Sequence, residues 1–439
     1  MSEEISTDVI VIGGGFGGVT AARELSSAGV DVIVLEARNR LGGRTWYEKD
    51  RIAGFDVEMG GGWLSADEAF VMAEVRRYGV ELIEADTSAP KHLIWRSPAG
   101  VRRSALPVPF EQLAELERAI GRMDNAASQV DRGLDLEAQK ELDVSLPSFF
   151  EDLRLPSETL GVLEGWWTGL SSSDWSNMSA LFVSRLISRA GGTFMGMTNT
   201  VMLGPRFKNG TLDLVQSIAQ DSQAKVLLNS PVRQIVTVED GVRVVTDSQN
   251  YRAKAVICAV PTSTLASIAF EPELDADKKA ALSVRHAGSG FKLWMVARNV
   301  LGGVFSIGAP GPFNHLFTVD ERGEDALLVG FGHGERPDIR DLSAVSALLQ
   351  QYLPEAEVVA ADMHDWFTDE FSQGTWAVYP PGFSTGHEEA LRRPHGNIFF
   401  CGSDVSEVRP GYIDGAIESG ITVAQNLLSK VTNDLCRRA

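Results

Sequence analysis

The sequence predicts an α/β protein in which one parallel-sheet domain is cut into three pieces by two insertions. The apolar run Val9-Ile10-Val11-Ile12 leads straight into the glycine turn Gly13-Gly14-Gly15-Phe16-Gly17-Gly18. A second apolar run, Val32-Ile33-Val34-Leu35, follows about twenty residues on. At the far end the run Ile398-Phe399-Phe400-Cys401 meets Gly402, with Gly411 shortly after. Strand, glycine turn, helix and strand in that order make a Rossmann-like unit. The long stretches between the two ends then form an α+β second domain.

The first helix is predicted from about Gly17 to Ala28, with Val19, Ala22 and Leu25 on one face. Gly29 ends it, because glycine readily takes the left-handed conformation a helix terminus needs. Residues 51–64 continue the nucleotide domain, and Gly60-Gly61-Gly62 permits a close backbone approach there. From about residue 80 to 200 helices and loops dominate, with helices over Phe110–Arg122, Leu136–Leu153 and Ser179–Ala190 and clustered Trp166, Trp167 and Trp175. Strand character returns at Val226–Leu228, Val232–Val238, Val242–Val245 and Ala255–Val260, with a hairpin turn at Glu239-Asp240-Gly241. Further strands are expected at Phe291–Val296 and Ala326–Gly330, and helices at Ser343–Tyr352 and Ile413–Val431. The division that follows assigns 1–80, 205–290 and 391–439 to the nucleotide domain and 81–204 and 291–390 to the second domain.

The chain has 439 residues, 44% of them hydrophobic, enough for two cores. A net charge of -19 argues against nucleic acid and against an anionic membrane surface. Cys258, Cys401 and Cys436 are widely spaced and form no metal or disulfide pattern. The seven histidines show no metal-ligand spacing. Met1 to Thr7 is short and acidic, without a leader pattern, and no run approaches membrane-spanning length. The expectation is a cytoplasmic protein with no metal.

Gly13, Gly15 and Gly18 fit GxGxxG. They serve the tight turn, the approach of a pyrophosphate and close helix–strand packing, and the helix start then faces the phosphates. Glu36 ends the second strand, placed for ribose hydroxyls, and its charge disfavours a 2′-phosphate. Arg44 follows Gly42-Gly43 and suits a pyrophosphate. Val232, in Ser230-Pro231-Val232, could pair its backbone with the adenine, and a strand-edge valine could equally be plain core. Ala37, Arg38, Gly61, Gly62, Trp63, Ser403, Asp404, Tyr412 and Ile413 complete the expected cofactor shell. The glycine fingerprint alone leaves FAD and NAD open; its combination with the C-terminal run points to FAD.

The stretches Leu41-Gly42-Gly43-Arg44-Thr45 and Gly402-Ser403-Asp404 with Gly411-Tyr412-Ile413-Asp414-Gly415-Ala416 are similar to the flavin-containing amine oxidases. That family includes monoamine, polyamine and L-amino acid oxidases, and the resemblance covers nearly the whole chain. It implies a glutathione-reductase-type FAD domain and a monoamine-oxidase-like substrate domain, with the flavin ring at their junction. Gly290-Phe291-Lys292-Leu293-Trp294, His364-Asp365-Trp366 and Pro410-Gly411-Tyr412 further resemble the branch that oxidises (S)-6-hydroxynicotine.

The resemblance also implies roles. Lys292, a lysine inside an apolar strand, matches the one that holds a water near flavin N5 and assists the reaction with oxygen. Trp376 and Tyr412 match the two aromatic walls that flank the amine over the flavin. Thr375 stands where monoamine oxidases carry the cysteine that bonds flavin, so non-covalent FAD is expected. The implied partners are a small amine and O2, with a homodimer as the family's precedent. The implied reaction is hydride transfer from the pyrrolidine carbon, giving an iminium that hydrolyses to 6-hydroxypseudooxynicotine, with H2O2 formed from O2. General monoamine or polyamine oxidation and a dehydrogenase with a protein acceptor are the alternatives. Trp166, Thr168, Leu316 and Phe317 are expected around the substrate. This chain lacks the asparagine near Thr168 or Gly169 and the tyrosine near Leu316 or Phe317 that the branch carries. An amino acid oxidase would want a carboxylate clamp, for which Arg409 is near in sequence, but the resemblance places that segment at the cavity wall without such a role; Glu407 could be an acidic group of a polyamine tunnel.

Overall fold

The computed structural model describes residues 4–85, 88–286 and 288–438. Its first sheet has eight strands. Ile5–Ile12 lies centrally, parallel to Val32–Leu35 on one side and to Asn250–Cys258 on the other, and Ile398–Phe400 also pairs in parallel with Asn250–Cys258. Lys225–Leu227 closes one edge, and Gly241–Thr246, Val232–Val238 and Ala269–Glu271 extend the other. The expected hairpin is present, with Glu239-Asp240 as a two-residue loop between Val238 and its partner Gly241.

Strands buried on both faces read as unbroken apolar runs. Val9, Val11 and Val34 pack under the helix Phe16–Ser27, and Ile10, Ile12, Ile33 and Leu35 pack on the opposite side with Val244 and Val256. The C-terminal helix, Ile413–Arg438, lies against Phe16–Ser27. Small residues permit that approach, since a Cβ at Gly17 would sit 3.1 Å from the Ala416 carbonyl oxygen. The N-terminal glycine turn and the C-terminal segment around Gly402 and Ala416 thereby meet at one edge of the sheet. Ile12, Leu35, Cys258 and Phe400 end in register there, the edge where parallel sheets bind ligands.

The second sheet has seven strands, in the order Glu357–Met363, Phe291–Arg298, Asp325–Gly332, His315–Arg322, Val304–Gly308, His92–Ser97 and Gly100–Arg103. Phe291–Arg298 alternates strictly. Leu293, Met295 and Ala297 enter one apolar cluster, while Trp294 and Val296 enter another with Ile52, Phe55 and Trp366. A helical lobe of Leu113–Asp131, Ser157–Ser171, Ala180–Arg189 and Phe194–Met202 covers the rest.

One predicted helix is corrected. Leu136–Leu153 breaks into Leu136–Leu142, Leu146–Phe150 and a short turn, Glu151–Leu153. Ser145 caps the second piece with Pro147 in its first turn, a start signal inside the predicted run. Asp143 at the break accepts from Ser179 Oγ at 2.6 Å and from Thr385. Ser179 in turn caps Ala180–Arg189 by accepting from Leu181 and Phe182. Ser179→Ala is therefore expected to cost about 1–2 kcal/mol, read as a lower urea midpoint at unchanged slope.

Candidate active site

A cavity of about 1180 Å3 runs from the glycine turn to the junction of the two sheets. At its nucleotide end the helix Phe16–Ser27 starts at Gly15 without a side-chain cap. Its first N–H groups are therefore left for an anion. A Cβ at Gly15 would meet nothing closer than 4.0 Å, so the backbone is open to a ligand. Gly18 does not line the cavity, and a Cβ there would collide with the Gly13 carbonyl oxygen. It serves helix–strand packing, as its place in the fingerprint implies.

Glu36 accepts from Gly14 N–H at 2.6 Å and from Arg38 N–H at 2.8 Å. Burial pushes its carboxyl above the usual carboxylate range, against those two N–H bonds. Gly13, Gly15, Glu36, Ala37, Arg38, Gly43, Arg44 and Val232 line this end. Gly61, Gly62, Trp63, Ser403, Asp404, Tyr412 and Ile413 line the stretch toward the junction. Arg44 donates to the Thr375 carbonyl at 2.9 Å, to Ser403 Oγ at 2.8 Å and to Asp404 at 2.5 Å. Asp404 also accepts from Thr262 N–H at 2.9 Å, and Thr262 bonds His286. This buried chain fixes the position of Arg44. An open glycine turn, an uncapped helix start and a buried acid at the second strand end fit a dinucleotide such as FAD.

Lys292 lies on the cavity wall, 7% exposed. Its Nζ donates to the Glu58 carbonyl and to the Gly60 carbonyl at 2.8 Å. The ammonium lies 4.5 Å from the Trp63 ring centre and 4.9 Å from that of Trp294. Burial pulls its pKa down to about 7, with Glu58 opposing. The glycine triple thus presents the carbonyl that anchors this lysine.

Trp376 and Tyr412 stand edge to face, ring centres 5.3 Å apart at 76°. Trp376 Nε1 donates to the Ser171 carbonyl at 2.6 Å. Gly288 and the 375–376 segment exchange two backbone hydrogen bonds at 2.9 Å. Gly411 adopts φ +88°, and a Cβ there would overlap the Trp376 ring. Only glycine allows the two rings to meet in this way.

The cavity lining differs from expectation at three of the positions named for the substrate. Leu316 is fully buried with Phe291, Phe313 and Leu328 on the far side of its strand. Adjacent strand residues face opposite ways, so Leu316 and Phe317 cannot both face the cavity. Phe317 does, and so does His315. Trp166 and Thr168 also lie outside the lining; Trp166 turns into the helical lobe against Phe194, and Gly169 and Leu170 take their place. Asn199, Arg206 and Phe331 line the wall as well. Phe331 could have been found from Lys292, its partner across the sheet; nothing local singles out Asn199 or Arg206. Arg409 does not face the cavity. It pairs with Asp67 at 2.6 Å and lies 3.5 Å from Glu68. Glu407 lies outside the cavity with a largely exposed side chain. Among the described residues no group of histidine, cysteine and acidic side chains could hold a metal, and no helix is long and apolar enough to cross a membrane.

Known proteins resemble this chain in sequence and in fold. The family pattern described as flavin containing amine oxidoreductase matches residues 16–428. Pseudooxynicotine dehydrogenase of Pseudomonas sp. is 32% identical over 98% of this chain and 88% of its own length. (S)-6-Hydroxynicotine oxidase of Paenarthrobacter nicotinovorans is 34% identical over 94% of this chain and 97% of its own. The solved structure of wild-type putrescine oxidase bound to putrescine superposes with a TM-score of 0.85 at 25% identity, covering 97% of this chain and all of that one. The chain belongs to the flavin-containing amine oxidoreductases, as an FAD-dependent amine oxidase acting on a CH–NH donor with O2 as acceptor.

Proposed function

We propose that the amine is a neutral secondary or tertiary amine carrying a flat heteroaromatic ring, of which (S)-6-hydroxynicotine, an N-methylpyrrolidine, is the preferred member. The observation that carries this reading is the cavity wall: Trp376 and Tyr412 face a space bounded by Trp63, Phe317 and Phe331. Such a wall suits a flat apolar body and excludes bulk water. Trp376 and Tyr412 hold the amine between them and favour the positive charge that develops at its nitrogen. When bound, FAD supplies the hydride acceptor and passes the electrons to O2. No base is required, since the lone pair of a neutral amine assists the transfer. Lys292 holds a water and keeps a positive charge available at the cavity. Thr375 carries no thiol, which supports non-covalent FAD. Arg409, already paired with acids, offers no clamp for an amino acid carboxylate.

The similarity to two pyridine-alkaloid enzymes supports the same substrate class. A second reading, a general monoamine or polyamine oxidase, draws on Asp320 and Glu321, which line the cavity and could meet a distal ammonium. Anaerobic stopped-flow reduction separates the two. The panel is (S)-6-hydroxynicotine, (S)-nicotine, pseudooxynicotine, putrescine, benzylamine and an L-amino acid. Rapid bleaching by the pyridine alkaloids, with putrescine and benzylamine slow, is the expected result. Bleaching by putrescine or benzylamine with the alkaloids inert would replace the first reading with the second. Admitting air then follows reoxidation of the bleached flavin by O2.

A further inference from the structure

Among the described residues, every charged side chain on the cavity wall but one has a hydrogen-bond or ion-pair partner. Glu36 accepts from two N–H groups, Arg44 pairs with Asp404, and Lys292 donates to two carbonyls. Asp320 pairs with Arg322 at 2.9 Å, and Glu321 accepts from the N–H groups of Gly302 and Gly303 at 2.9 Å. The exception is Arg206. It lines the same wall, and its guanidinium has no hydrogen bond, ion pair or ring contact among the described residues.

Its direction follows from a two-residue strand. Arg206–Phe207 pairs with Leu82–Ile83, and the Arg206 backbone also bridges to Trp63. Phe207 is buried with Val75, Leu214 and Val215. Successive strand side chains point to opposite faces, so Arg206 turns away from that cluster and toward the cavity. There it leaves the backbone next to Trp63, whose ring meets Phe317 and Phe331 at 6.2 and 5.7 Å and bounds the substrate space. Arg206 is half-buried, and burial pulls its pKa below the ordinary arginine value while Asp320 opposes from a distance. An arginine stays charged through such a shift. The guanidinium thus offers a fork of N–H donors with no protein group to receive them. A desolvated donor without a partner is costly, and a ligand that brings an acceptor removes that cost.

We propose that Arg206 binds an oxygen acceptor, a ring carbonyl or a carboxylate, at the end of the amine substrate remote from the reacting carbon, and repels a second ammonium there. The proposal rests on the amine site and the flat-ring substrate class given above. A 6-hydroxypyridine ring in its pyridone form carries such a carbonyl. The planar fork also matches the two oxygens of a carboxylate. A diamine would instead bring its distal ammonium to a guanidinium. The acids on the same wall are already engaged, Asp320 by Arg322 and Glu321 by two backbone N–H groups. Arg206 is thus a specificity residue that favours oxygenated rings and disfavours polyamines.

The test uses the FAD-loaded enzyme and anaerobic flavin reduction at low substrate. One comparison is (S)-6-hydroxynicotine against (S)-nicotine. The other is a series of N-methylbenzylamines bearing a para carboxylate, methyl or trimethylammonium group. The parent is expected to favour the carboxylate over the methyl compound by about tenfold or more, and to be slowest with the trimethylammonium compound. Arg206→Met keeps the apolar stem without the charge. It should bring the carboxylate-to-methyl ratio close to one and speed the trimethylammonium compound about threefold or more. A damaged site would slow all three and cannot move two members in opposite directions. Arg206→Gln, also neutral, should behave alike and covers a failure of the methionine variant to fold. Arg206→Lys should keep the trimethylammonium compound slow. A parent without this order, or an unchanged order in a folded neutral variant, overturns the assignment. If neither alkaloid reduces the enzyme while the benzylamine order holds and collapses in Arg206→Met, the alkaloid reading fails and the role of Arg206 stands.

Discussion

The Lys292→Met variant is expected to be reduced by its amine about as fast as the parent and to react with O2 about 100-fold more slowly. The reasons lie in the surroundings of this one side chain. Its Nζ is held by two backbone carbonyls of the 58–60 segment and by the faces of Trp63 and Trp294, with no carboxylate in an ion pair. Glu58 acts on it only at a distance. The positive charge is therefore available to whatever gains negative charge in the cavity, and O2 gains it as it takes up electrons. Methionine fills the same volume without charge. Because the lysine pKa is pulled down to about 7, the parent's reaction with O2 should slow as pH rises through 7, and the variant's profile should be flat there. Double-mixing stopped flow between pH 5.5 and 9 reads both effects. An unchanged rate with O2 would remove Lys292 from this step.

The same substitution has a predictable stability signature. The ordinary lysine value is 10.5, so between pH 7 and 10.5 the unfolded chain binds a proton that the native state lacks. Stability then rises with pH across that window, and the cost of the buried charge is complete below pH 7. Lys292→Met lacks this cost. It should melt above the parent at pH 7, with the gap closing toward pH 10. A variant that is more stable yet slower with O2 would mark Lys292 as retained for chemistry rather than folding.

Much of this was legible because the signals are local. The glycine turn, Glu36 and the two flanking strands lie within a few tens of residues, and backbone geometry alone restricts what fits there. Lys292 stood out because a charge inside Phe291–Arg298 breaks an apolar run. The helical break at Asp143 was less visible, since Leu146 and Phe149 continue the apolar spacing while the stop depends on Asp143 meeting Ser179 and Thr385. The far wall of the cavity was least legible. Strand parity decides between Leu316 and the pair His315 and Phe317, and parity cannot be set without the exact strand start. His315 also needs Gly169, about 146 positions away, and only the fold brings them together.

Arg409→Met is expected to destabilise the protein by about 3–5 kcal/mol without creating or removing any preference for carboxylate substrates. Arg409 lies near Tyr412 in sequence, where an L-amino acid oxidase would want a carboxylate clamp, a role the family resemblance does not give it. The structure instead gives Arg409 to Asp67 and Glu68, with a further bond to the Arg189 carbonyl, and leaves it 4% exposed. Asp414 adds a third acid, accepting from the N–H groups of Phe70 and Val71 at 2.7 and 2.9 Å. Burial already raises Glu68 to about 8, and Arg409 is the main group holding it down. Without the guanidinium, Glu68 and Asp414 rise further and remain protonated to higher pH. A folded-state pKa above the unfolded one means the native state binds the extra proton, so stability falls as pH rises through that range. The loss in Arg409→Met should accordingly be smaller at pH 5 than at pH 8. Urea midpoints at the two values read it. Equal losses at both would show that the Arg409 stem, rather than its charge, holds the Asp67–Glu68 segment. A changed rate with an L-amino acid, at unchanged stability, would return Arg409 to the substrate.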